Sequence, residues 1–151
     1  MPAITATVHK GHRVASGLNG NPKFPGGTLA MQAPFFAALG LDITVYHPGT
    51  LNLSIAPWRY EVVAPRLTFR QVRWHPTEPA EDFSFFDCEL RPAGGEPVRG
   101  LVYYPHPETK PGHFQAADVL EVLAPTMPGL AYGEALELSV DPAQMRFLSA
   151  A

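Results

Sequence analysis

The chain has 151 residues, 46% hydrophobic and 17% charged, with a formal net charge of −3. That composition excludes a disordered chain, and the negative balance offers no overall attraction to nucleic acid or an anionic membrane. Cys88 is the only cysteine, which excludes an internal disulfide and a cysteine-based zinc site.

The opening Met1-Pro2-Ala3-Ile4-Thr5 lacks the charged and apolar parts of a signal peptide, and no apolar run approaches the ~20 residues of a membrane span. A soluble, cytoplasmic chain folding as one domain over 1–151 is therefore expected. Seventeen prolines and 13 glycines interrupt the sequence too often for long helices. Short strands joined by turns fit better.

In chain order, residues 32–41 read as a helix, with Pro34 near its start, Phe35, Phe36 and Leu39 as apolar positions, and Gly40 as its stop. Residues 51–55 alternate Leu51, Leu53 and Ile55 with Asn52 and Ser54, a strand with one apolar face. The basic strip Arg66, Arg70 and Arg73 fits either an anion site or, more simply, solvated strand faces. Residues 83–90 alternate too, but change phase at Phe85-Phe86 as a β-bulge would make them do. Within this run Cys88 reads as a small core residue. Gly94-Gly95 predicts a hairpin into a strand over 98–104, and residues 119–123 and 136–140 add two more strands. Loops at 76–79 and 105–112 are candidates for function. Seven or eight short strands with one helix bury their edges best by closing into a small barrel.

The segment His47-Pro48-Gly49-Thr50-Leu51-Asn52-Leu53 feeds a Pro-Gly turn directly into a strand. Thr50 and Asn52, two apart, then share a face at the strand's start. A hydroxyl beside an amide oxygen is a hard donor set suited to Mg²⁺, and it is also an ordinary polar strand face. Four histidines suggest transition-metal pairs, His9 with His12 and His106 with His113, but neither supplies three ligands at a recognisable spacing.

Pro48-Gly49-Thr50-Leu51-Asn52-Leu53 resembles the signature of the archaeal CTP-dependent riboflavin kinases. Flanking segments resemble that family in the same order. They are Val14-Ala15-Ser16-Gly17-Leu18 with Gly20, the helix ending Leu39-Gly40, Gly100-Leu101-Val102-Tyr103-Tyr104-Pro105, Val119-Leu120-Glu121-Val122-Leu123-Ala124-Pro125, and Tyr132-Gly133-Glu134 with residues 136–140. The resemblance spans residues 11–141, and residues 58–95 share only their strand-rich character.

The resemblance implies a closed, mostly β cradle-loop barrel of about six to eight strands with one short helix. It further implies Mg²⁺ at Thr50 and Asn52, and nucleotide contacts at Gly17, Leu18, Asn19, Gly20, Gly26, Gly27, Thr126 and Met127. Flavin contacts fall on His113 and Glu121, with His113 standing where the family has a threonine. Pro22 and Pro25 interrupt the glycine-rich loop, and Thr126-Met127-Pro128-Gly129 carries no cation where the family has a basic segment. No general base stands out.

Three functions fit these residues. The first is Mg²⁺-dependent phosphoryl transfer from a nucleoside triphosphate to riboflavin, giving FMN. The second is a relative that binds a flavin, nucleotide or other small molecule without phosphorylating it. The third is a regulatory or structural module, for which a homo-oligomer is conceivable and the DNA-binding barrels related to the family are the precedent.

Overall fold

The computed structural model describes residues 3–9, 27–110, 116–127 and 130–149. Among the described residues, nine strands and one α-helix run in the order β1 (Ala3–His9), α1 (Thr28–Ala38), β2 (Leu51–Ser54), β3 (Trp58–Val62), β4 (Leu67–Val72), β5 (Glu81–Pro92), β6 (Val98–Pro105), β7 (Val119–Leu123), β8 (Ala135–Val140) and β9 (Met145–Ser149). A 3₁₀ turn, Ile43–Val45, follows α1.

Six strands close an antiparallel barrel in the order β5-β6-β7-β2-β1-β8, with β8 returning to β5. The long strand β5 makes closure possible. One of its edges pairs with β6 from Phe83 to Leu90. The other pairs with the extra strand β4 through Phe85, and then with β8 from Cys88 onward. At the seam between β4 and β8 the Asp87 N–H would lack a ladder partner, and the Gln144 side-chain oxygen accepts it at 2.8 Å. The amide nitrogen of Gln144 in turn donates to the Asp87 carboxylate at 2.9 Å. Gly100 permits the close approach of β6 and β7, since a Cβ there would lie 2.5 Å from the Leu123 carbonyl oxygen.

Two hydrophobic cores lie on opposite sides of the barrel wall. Inside are Ile4, Ala6, Val8, Leu53, Ile55, Phe86, Cys88, Leu90, Val102, Leu120, Val122, Leu136, Leu138 and Val140. Outside, Phe69, Phe83, Phe85, Leu101, Tyr103 and Leu123 lie under α1, which contributes Leu29 and Phe36. The antiparallel ribbon of β3 and β9 leans Trp58, Tyr60 and Phe147 on the inner core.

The expected strands at 51–55, 119–123 and 136–140 and the hairpin at Gly94-Gly95 form where the sequence puts them. Two expectations fail. No bulge occurs at Phe85-Phe86, where the pairing runs unbroken through Phe85↔Tyr103 and Phe86↔Val102. The phase change arises because β5 buries both faces, with Phe83 and Phe85 under the helix and Phe86 and Cys88 in the barrel. The irregularity lies instead in β4, between Phe69 and Val72, where Gln71 takes a φ of 55° and its N–H donates to the Asp82 carboxylate at 2.8 Å.

The helix also begins earlier than its sequence suggests, at Thr28, leaving Pro34 in its interior. Gly27, with φ 95°, starts it, and Thr28, Leu29, Gln32 and Phe36 form its buried stripe. Packing thus outweighs the missing proline N–H, which falls on an exposed turn of the helix. The stop is as expected. Gly40, at φ 101°, closes a Schellman turn in which Leu41 N–H donates to Phe36 O and Gly40 N–H to Ala37 O.

Two arginines of the basic strip are paired. Arg66 pairs with Asp87 at 3.0 Å and Arg70 with Asp82 at 3.1 Å, which favours the solvated-face reading. Cys88 is buried, and burial first, then the Asp87 charge, pushes its thiol up to about 12, so it is no nucleophile at neutral pH. Among the described residues no helix is long and apolar enough to cross a membrane.

Candidate functional site

The barrel's register assembles a polar row on its outer face. On β2, Leu51 and Leu53 turn into the barrel, so Asn52 points outward, with Thr50 on the same side just before the strand. Asn52 stands directly opposite Glu121 of β7, and Glu121 opposite Tyr103 of β6. Thr50 Oγ1 donates to Glu121 Oε1 at 3.1 Å across 71 residues of chain. Two expected metal ligands and one expected flavin contact are therefore brought together.

The turn leading into this row is fixed by hydrogen bonds. His47 N–H donates to the Ala124 carbonyl at 2.9 Å, and Gly49 N–H to the His47 carbonyl at 2.8 Å. Thr126 reaches the same turn, its Oγ1 lying 3.4 Å from His47 Nδ1. Met127 packs against the inner core, and Gly27 caps α1. Gly17, Leu18, Asn19, Gly20, Gly26 and His113 lie outside the described residues.

Beyond the Tyr103–Glu121 pair, β6 and β7 cease to be hydrogen-bonded, and a cleft of about 150 Å³ opens beside them. Tyr60, Tyr103, Tyr104, Pro105 and Pro107 form its walls, with Lys110 and Glu121 supplying charge. Lys110 Nζ lies 3.8 Å from Glu121 Oε2, with both side chains largely buried, at 15% and 11% exposed. A cavity of about this size holds a benzene-sized ring. It is smaller than the ~300–1,000 Å³ of a pocket enclosing a whole drug-sized ligand.

Behind the cleft, the Tyr103 hydroxyl donates to Gln32 Oε1 of α1 at 2.6 Å. Burial holds the Tyr103 phenol well above its usual range, and the Glu121 and Glu81 charges add to this against the Gln32 hydrogen bond. Burial, with Tyr104 alongside, likewise pushes Tyr60 up to about 12. Both phenols are thus neutral hydrogen-bonding walls at physiological pH.

Glu81 is a buried carboxylate at the start of β5, accepting from Trp74 Nε1 at 2.9 Å. Burial raises its pKa above 4.5, against the Trp74 hydrogen bond and the Lys110 charge. The folded protein therefore binds this proton more tightly than the unfolded chain does, so stability falls as pH rises above about 4.5 through the folded value. Glu81→Gln, whose amide oxygen can still accept from Trp74, should flatten that fall and raise stability at neutral pH relative to the parent. Urea unfolding at several pH values checks this; parallel curves for the two proteins would contradict it.

A second polar cluster escaped the sequence reading. His106 Nε2 lies 2.7 Å from Ser84 Oγ and Nδ1 lies 3.1 Å from Glu108 Oε1, while Thr68 Oγ1 is 2.8 Å from Ser84 Oγ. Ser84 is only 1% exposed, so the chain of hydroxyls and imidazole ties β4, β5 and the 106–110 loop together instead of presenting a nucleophile. Lys110, Tyr103 and Gln32 were also missed. Their meeting depends on strand register and helix packing, which no local spacing encodes.

Compared with protein-family models, curated proteins and solved structures, the chain matches none. The class defined by the fold and its site is a closed six-stranded antiparallel barrel with an oxygen-rich row on its outer face and an aromatic cleft where β6 and β7 part.

Proposed function

We propose that the chain is a riboflavin-kinase-like phosphotransferase that moves a phosphoryl group from a nucleoside triphosphate to riboflavin, giving FMN. The observation that carries this reading is the Thr50–Glu121 hydrogen bond of 3.1 Å, with Asn52 facing Glu121 across the strands. A hydroxyl, an amide and a carboxylate converge beside a cleft walled by aromatic rings.

The donor set fits Mg²⁺. Thr50 and Asn52 offer hard oxygen ligands next to a carboxylate, the kind of partial shell that phosphates and water complete. When bound there, such an ion supplies neutralisation of the charge on the transferred phosphates. The chain's own residues do the positioning on which phosphoryl transfer depends. Glu121 accepts a hydrogen bond from a ligand hydroxyl or ring N–H once it releases Thr50. Tyr60, Tyr103 and Tyr104 exclude water from one edge of the ring system, and the rest of the ligand extends outside the cleft.

Incubating the protein with riboflavin, Mg²⁺ and each of CTP, ATP and GTP should yield FMN with at least one donor. FMN absent with every donor, while riboflavin still quenches on binding, would leave the second reading, a flavin-binding barrel without transfer. The lack of a cation at 124–127, beside the His47–Thr50 turn, favours that second reading.

A further inference from the structure

We propose that Lys110 is the phosphate-recognising residue of this site, its ammonium meeting an anionic phosphate oxygen of the ligand next to Glu121. The ligand class is an organic phosphate or diphosphate, and its identification with FMN or a nucleotide rests on the reading above.

The loop carrying Lys110 is built to hold it in place. His106 N–H donates to the Asp82 carbonyl at 2.9 Å, and both Thr109 N–H and Lys110 N–H donate to the His106 carbonyl, at 3.0 and 3.1 Å. The Asp82 N–H in turn donates to Thr109 Oγ1 at 2.9 Å. The turn is thus pinned to β5, and the lysine stem enters the cleft from a fixed backbone position.

At its head, the ammonium lies 3.8 Å from Glu121 Oε2 on β7. An ion pair at 3.8 Å is longer than a charge-assisted hydrogen bond of ~2.7–2.9 Å, and an ammonium has three donors to place. Glu121 meanwhile receives Thr50 on its other oxygen, so the carboxylate is served from both sides.

Among the described residues, Lys110 is the one cationic side chain in the cleft wall, whose other members are tyrosines, prolines, Val119, Leu120 and Glu121. Its ion-pair partner Glu121 stands directly across the ladder from Asn52. The segment 124–127 on the far side supplies no positive charge. A compact ammonium on a flexible stem suits a phosphate, which it meets as a point charge.

The alternative is that Lys110 serves only as counter-ion to Glu121. Binding of riboflavin, FMN and inorganic pyrophosphate to the full chain separates the two roles. Lys110→Met should weaken FMN and pyrophosphate by about 10–100-fold, the worth of one charge-assisted hydrogen bond, and leave riboflavin within about twofold. Lys110→Arg should recover most of the loss.

Equal losses for riboflavin and FMN, or pyrophosphate affinity unchanged in Lys110→Met, would overturn the proposal. Pyrophosphate binding that depends on Lys110 while neither flavin binds the parent protein would sustain Lys110 and overturn the flavin reading instead. Should Lys110→Met fail to fold, Lys110→Gln, which keeps a polar head beside Glu121, carries the same comparison.

Discussion

Phe36→Ala is expected to destabilise the protein by about 3–5 kcal/mol, the cost of emptying a large aromatic site in a packed core. Phe36 is fully buried and is the main link between α1 and the barrel wall. Its ring lies 5.0 Å from Phe83 and 5.4 Å from Phe85, both edge-to-face, and 5.8 Å from Phe69. The helix has little else to hold it: no side chain caps its N-terminus, no acidic residue occupies its first turn and Pro34 interrupts its hydrogen bonds. Its stability therefore comes from this outer core.

At roughly 2–4 °C per kcal/mol for a chain of this size, the melting temperature should fall by about 6–20 °C. Phe35→Ala, next door and 41% exposed, is the control and should change stability by no more than about 0.5 kcal/mol. A melting temperature unchanged in Phe36→Ala would show that α1 is not packed on the sheet. Because Gln32 of the same helix holds Tyr103, the variant should also weaken ligand binding at the cleft.

The contrast between α1 and β5 shows what a local pattern can encode. The strand at residues 51–55 was readable because only one of its faces is apolar, and the stop at Gly40 because a left-handed turn requires glycine there. Strand β5 was misread because a strand with one face in each of two cores loses its apolar–polar alternation. The start of α1 was misread because proline usually marks a first turn, and tertiary packing of Leu29 and Gln32 outweighed that preference.

Strand β1 carried a clean alternation of Ile4, Ala6 and Val8 that went unassigned, since alanine, at Ala3 and Ala6, weighs little as a strand former. β3 and β9 pair across more than 80 residues with largely exposed faces, so neither announces itself. The same divide runs through the site. Thr50 and Asn52 follow from a spacing of two. The meeting of Glu121 with Thr50, and of Lys110 with Glu121, follows from register between strands far apart in sequence.

Asn52→Leu is expected to cut FMN formation by about 10²–10³-fold, comparable to losing one preorganised charge-stabilising group from an active site. Asn52 is buried and faces Glu121 at the centre of the polar row, so leucine keeps the volume and removes every polar atom. Some stability should go too, about 1–3 kcal/mol for the polar partner left behind, but unfolding should stay cooperative.

Thr50→Val tests the same row from the other side, removing the hydroxyl that donates to Glu121 and little of the volume. If both side chains hold one ion, the losses are not additive, and the double variant should be no worse than about the poorer single variant. Raising Mg²⁺ should restore part of the activity of either single variant and leave Lys110→Met unaffected, because that residue is assigned to phosphate and not to metal. Full activity in a cooperatively folded Asn52→Leu protein would remove Asn52 from the site. Losses that add fully, with no response to Mg²⁺, would mean that Thr50 and Asn52 act separately, Thr50 as the residue that orients Glu121 and Asn52 as part of the sheet.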